Sequence, residues 1–235
     1  MKKHIITLII GFIISANLFA QEEKLLAIGA FDPFGVENEN ASKILTNNII
    51  RALNLNGLAA TDSRFMVISN VAELSKRTTA TAPVKHIIEL DVTMFMVDLY
   101  TNVSFSQAEF VVKGVGNNEA QAYINAIRTI QARNSKFKTM IVKGKEKIID
   151  YYTQNGEQIL GRIKAHIERK DYKSAIIETY AIPEAMIELY NQASELLAQI
   201  PNIEEKKAEV TTISLHNYFY TEPSRERAAK FITIN

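Results

Sequence analysis

The chain has 235 residues, 47% of them hydrophobic, with 27 Lys and Arg against 26 Asp and Glu and no cysteine. That apolar fraction excludes a disordered chain, and the near-balance of charge leaves no nucleic-acid footprint. Without cysteine there is no disulfide framework, no thiol nucleophile and no thiolate metal site.

The chain opens with the basic stretch Met1-Lys2-Lys3-His4. An apolar run follows from Ile5 to Ile14, interrupted by Thr7 and Gly11, and then the small or polar Ser15-Ala16-Asn17. This order predicts a signal peptide over residues 1–20, cut near Ala20, before Gln21. The apolar run is about half of the ~20 residues a membrane span needs. Its removal leaves 25 basic residues against 26 acidic ones. No cysteine follows to carry a lipid, so the expected product is free in the periplasm or secreted, and not membrane-spanning.

From Leu25 to about Lys143 the pattern alternates between strand and helix. Leu25–Phe31 reads as a buried strand, stopped by Asp32-Pro33-Phe34-Gly35. Ala41, Ile44, Leu45, Ile49, Ala52 and Leu53 fall at helical spacing, closed by Asn56-Gly57. Phe65 to Ile68 reads as a second strand, and Val71 to Arg77 as a short helix entered through Ser69-Asn70. In Val84–Tyr100 the even positions from Ile88 to Met96 are all apolar, while Glu89, Asp91 and Thr93 alternate with them. Val103–Lys113 returns as the second arm of a hairpin, with a bulge expected near Gln107. Asn117 or Asn118 then caps a helix carrying Tyr123, Ile124 and Ile127.

Beyond about Phe137 the strand pattern ends. Ile148, Tyr152, Ile159, Leu160, Ile163 and Ile167 form a helical stripe that Lys170-Asp171 breaks. A short helix with Tyr172, Ala175 and Ile176 follows, and Pro183 opens another that runs to Ile200-Pro201. Thr211–Tyr220 is β-like and Glu222-Pro223-Ser224 reads as a polar turn. The expected fold is therefore α/β (α+β): a mixed sheet with flanking helices over 22–142, a small all-helical domain over 143–201, and a tail over 202–235.

Two resemblances attach to these segments. Leu160-Gly161, Asp171-Tyr172-Lys173-Ser174-Ala175-Ile176 and Pro183 resemble one tetratricopeptide helical hairpin, a unit that must pack on a neighbour. Ala27-Ile28-Gly29-Ala30-Phe31-Asp32, the long hairpin, and Lys113-Gly114-Val115-Gly116-Asn117-Asn118-Glu119-Ala120 are similar to bacterial envelope proteins of three types. These are the curli-secretion pore subunit, the penicillin-binding-protein-activator lipoprotein and the flagellar assembly T protein. The resemblance implies a sheet-and-helix module for non-catalytic assembly or binding, here without the cysteine that lipidates those relatives.

The chemistry on offer is sparse. Gly114-Val115-Gly116 has the look of a phosphate loop, but Glu119 stands where the third glycine of a dinucleotide fingerprint would be. His86, His166 and His216 are scattered, with no metal-ligand spacing, so no metal and no cofactor is expected. Lys136, Lys138, Lys143, Lys145 and Lys147 read as a solvated helix face. The candidate binding residues are Asp32, Glu89, Asp91, Tyr152, Tyr172 and Tyr190. The functional expectation is an exported, non-catalytic binding or assembly protein of the envelope, with a protein partner and no nucleic acid. The alternative is an envelope hydrolase using Glu89 or Asp91. Nothing in the sequence sets an oligomeric state.

Overall fold

The computed structural model describes residues 26–60, 63–98, 101–208, 210 and 222–234. The predicted signal peptide and the β-like stretch 211–220 lie outside them. A βαβ unit comes first: β1 (Ile28–Ala30), α1 (Glu39–Asn54) and β2 (Phe65–Thr78), with β1 and β2 parallel. The long hairpin follows as β3 (His86–Asp98) and β4 (Val103–Gly116), giving a four-stranded mixed sheet of order β1-β2-β3-β4. Then come α2 (Glu119–Arg128), α3 (Ser135–Glu168), α4 (Tyr172–Tyr180), a 3-10 turn (Glu184–Met186), α5 (Ile187–Leu197) and α6 (Glu222–Ile234). A mixed sheet with flanking helices followed by a helical region is the fold class expected from the pattern.

Side-chain alternation gives the sheet two unlike faces. Phe65, Val67 and Val71 of β2, the even residues Ile88–Met96 of β3, and Phe105, Ala108 and Phe110 of β4 point into the main core beneath the helices. On the opposite face Met66, Ile68, Phe95 and Val97 form a second small core under Ala228 and Phe231 of α6. Beyond that patch lie the odd residues of β3 and β4, including Glu89, Asp91, Glu109, Val111 and Lys113.

Three local expectations are corrected. Val71–Arg77 is not a helix but the second half of β2, paired with β3 from Ala72↔Asp91 to Thr78↔His86. The good helix formers Ala72, Glu73, Leu74 and Lys76 yield to the long strand beside them, and a register shift at Glu73/Ser75 leaves Leu74 exposed. The β4 bulge sits at Phe105 rather than Gln107, since Met96 pairs with Ser106 and Val97 with Ser104. Glu222-Pro223-Ser224 is the first turn of α6 rather than a loop. Proline fits there because the first turn needs no intrahelical N–H.

The helix starts follow side-chain capping. Asn38, Asn118, Asn134 and Asp171 each accept from a backbone N–H in the first turn of α1, α2, α3 and α4 respectively. α3, at 34 residues, runs unbroken across 142–143, where the boundary between the sheet module and the helical domain was expected. Its first turns bury Phe137, Met140 and Ile141, and its last turns bury Ile159 and Ile163 in the same core. At Gly144 the helix meets the sheet so closely that a methyl there would fall 2.2 Å from Met96 Sδ.

Candidate functional site

The six candidates from the sequence do not form one cluster. Glu89 and Asp91 lie together, half-buried, on the face of β3 opposite the main core. Asp32 is exposed in the loop after β1, where it accepts a hydrogen bond from Thr46 Oγ1 at 3.0 Å. Tyr152 is 1% exposed in α3, and its hydroxyl donates to the Ala181 carbonyl at 3.1 Å. Burial raises its pKa, so the phenol stays a donor. Tyr172 lies under the Lys206 ammonium, 5.4 Å from the ring centroid, and Tyr190 packs half-buried against the core. The structure thus leaves Tyr152 with a packing role.

On this face the strands are held in register as rows. Ser75, Glu89 and Lys113 make one row, Ala72, Asp91 and Val111 the next, and Asn70, Thr93 and Glu109 a third. Glu89 accepts from Ser75 Oγ at 3.3 Å. Asp91 Oδ1 is enclosed yet takes no hydrogen bond among the described residues. Val111, its neighbour in the same row, is 56% exposed and offers an apolar contact at the surface. His86 lies on the other side of β3, and its Nδ1 is enclosed without a hydrogen bond among the described residues.

Two hollows flank the sheet. One of about 430 Å³ lies beside β1, lined mainly by Leu26, Leu58, Phe65, Ile182 and Pro183. Arg64 stands in its wall, 2.6 Å from Asp98 in an ion pair whose side chains are 7% and 0% exposed. Burial alone would lower the Arg64 pKa, but the Asp98 carboxylate together with Tyr152 and Tyr151 outweighs it and keeps the guanidinium charged. The other hollow, about 510 Å³, lies between β2 and α2 with Glu37, Glu73, Lys76, Glu119 and Tyr123 in its wall. Burial, with Glu73 and Glu37 nearby, pushes the Tyr123 phenol up to about 12. Sequence reasoning missed this hollow, because Tyr123 reads there as one more residue of an apolar helix face.

Gly114 and Gly116 serve packing. A methyl on Gly114 would lie 2.0 Å from the Ala122 carbonyl oxygen and 2.3 Å from the Ala126 nitrogen, so these glycines let α2 lie directly on β4. Glu119, at the start of α2, pairs with Lys76 at 2.8 Å. Among the described residues no group of three or more His, Asp or Glu is placed to hold a metal ion, and no helix is long and apolar enough to cross a membrane.

No family model and no curated protein matches the chain. Among solved structures it is similar to a Xanthomonas campestris protein of the DUF330 family, at 10% identity and a TM-score of 0.37, over 52% of this chain and 86% of that one. A PelC dodecamer from Paraburkholderia phytofirmans aligns at 14% identity and a TM-score of 0.28, over 47% of this chain and 92% of that one. A candidate lipoprotein from Caulobacter crescentus aligns at 13% identity and 0.32, over 50% and 88%. None of the three is similar enough to assign the chain to its family.

Proposed function

We propose that this chain is an exported, non-catalytic binding or assembly protein of the bacterial cell envelope, and that the sheet face carrying Glu89, Val111 and Lys113 is the contact surface. The observation that carries this reading is the placement of Asp91. Its Oδ1 is enclosed with no donor among the described residues, on a sheet face where Val111 and Val115 stand exposed. Catalytic carboxylates act on a substrate held between them in a site that excludes water. Glu89 and Asp91 share one strand face, two residues apart, and neither lines either of the two hollows. The signal-like residues 1–20 supply the address, and the helical hairpin of α3 and α4 supplies a scaffold of a kind that resembles protein-contact modules.

The test is site-specific photo-crosslinking in a Gram-negative host, with the reactive group at Val115 on the sheet face and, as control, at Leu55 near the end of α1. Conjugates to an envelope protein from position 115 and not from 55 are expected. Equal or absent conjugation would sink the surface assignment. A folded variant carrying Glu89→Ala and Asp91→Ala that loses a hydrolytic activity on envelope material would replace the binding reading with the hydrolase.

A further inference from the structure

β4 is an edge strand of 14 residues, and among the described residues no strand pairs with its outer side. Two of its backbone carbonyls are covered from that side. Lys136 Nζ donates to the Glu109 carbonyl at 2.8 Å, and Asn125 Nδ2 donates to that of Val115 at 2.8 Å. Outward-pointing groups recur at every second residue of a strand, so the N–H and C=O of Val111 and Lys113 point outward as well. Among the described residues nothing bonds them on that side. Long open edges of this kind are templates for further pairing.

The side chains of the open stretch are self-complementary. Glu109, Val111 and Lys113 are all exposed on one face, and neither Glu109 nor Lys113 has an ion-pair partner among the described residues. If a second β4 runs antiparallel with Val111 opposite Val111, each Glu109 faces the other copy's lysine and each Lys113 the other copy's glutamate. All three pairs are of the hydrogen-bonded kind, because all three residues direct their backbone groups outward. The Glu109 carbonyl has a second lone pair and can keep Lys136 while accepting from the partner strand. Any other centre within the stretch loses one or both charge matches.

We propose that two copies of this chain pair antiparallel along β4 about a two-fold axis through Val111, joining two four-stranded sheets into one. The axis stands perpendicular to the sheet, so α2 and α3 of both copies lie on one side and the two faces that carry Val111 form a single surface. This goes beyond the function proposed above, because it requires only the folded chain and is measured without any envelope component.

The experiment is sedimentation of the purified exported chain over a range of concentrations, beside three variants. Lys113→Glu sets two glutamates against each other twice, and Glu109→Lys does the same with lysines. Each should weaken self-association about tenfold or more. The double variant restores both matches and should recover it, which also shows that the single changes do not act by unfolding. Mixing the two single variants should yield a heterodimer. Amide exchange should show Val111 and Lys113 protected only at concentrations where the dimer forms. A chain that is monomeric up to its solubility limit, a dimer indifferent to Lys113→Glu, or protection independent of concentration would each overturn the proposal.

Discussion

Arg64 and Asp98 join the residue just before β2 to the last residue of β3, with the guanidinium Nη2 2.6 Å and Nε 2.8 Å from the same carboxylate oxygen. Asp98 also accepts from Thr101 Oγ1 at 2.8 Å, so one carboxylate ties the sheet end to the turn that follows it. Replacing Asp98 with Ala removes the countercharge from a buried guanidinium and should cost about 3–5 kcal/mol in chemical denaturation. The paired apolar replacement, Arg64→Met with Asp98→Leu, should cost less than Asp98→Ala alone. The opposite order would show that the charge itself matters less than the shape of the two side chains.

Glycines separate sharply by surroundings. Gly114→Ala would force α2 off β4 and should destabilise by about 3 kcal/mol, since the obstructing atoms are backbone. Gly161→Ala meets nothing within 4 Å and lies inside α3, so it should stabilise by about 1 kcal/mol. Thermal melts of the two variants against the parent chain decide both.

How far the sequence reaches is visible in β3. Its strict alternation predicts which residues enter the core and places Glu89 and Asp91 on the other face, as found. The same logic fails at 71–77, where helix propensity is local information and strand pairing with β3 is not. It fails again for Tyr152, whose position on an apolar helix stripe says nothing of the Ala181 carbonyl that its hydroxyl reaches across the hairpin. The unsatisfied Asp91 oxygen and the open edge of β4 depend on what does not come near, and no pattern in one chain records that.

Asp171 carries the acid-range prediction. Hydrogen bonds from the Ser174 side chain and backbone and from the His166 ring, the last at 3.0 Å, hold its carboxyl below the ordinary value of 3.8 against an opposing effect of burial. A depressed carboxyl contributes stability that is present above its unfolded pKa and drains as pH falls through the folded one. Asp171→Asn keeps the cap of α4 and should flatten stability below about pH 4. Asp171→Ala should lose about 1 kcal/mol at neutral pH. Denaturant titrations from pH 3 to pH 7 separate the two, and an Asn variant with the parent's acid slope would refute the assignment.

Phe231 packs edge-on to Phe95 with ring centroids 5.4 Å apart, anchoring α6 to the second core. Phe231→Ala should cost about 3 kcal/mol and raise binding of a hydrophobic dye, as Met66, Ile68 and Phe95 lose their cover. An unchanged melt and no dye signal would show that α6 contributes little to the sheet.

The length of α3 turns a packing detail into a mechanical one. The helix is seated on the sheet at Gly144, against Met96 and Ser106, and carries Ile163 about 29 Å further along the same rod. Tilting that rod by about 5° about its seat would displace its far end by roughly 2.5 Å, more than the core around Ile163 could absorb without repacking. A load applied at the α3–α4 turn is therefore delivered to the turn end of the β3–β4 hairpin, so the helical region and the sheet are levered against each other through one helix.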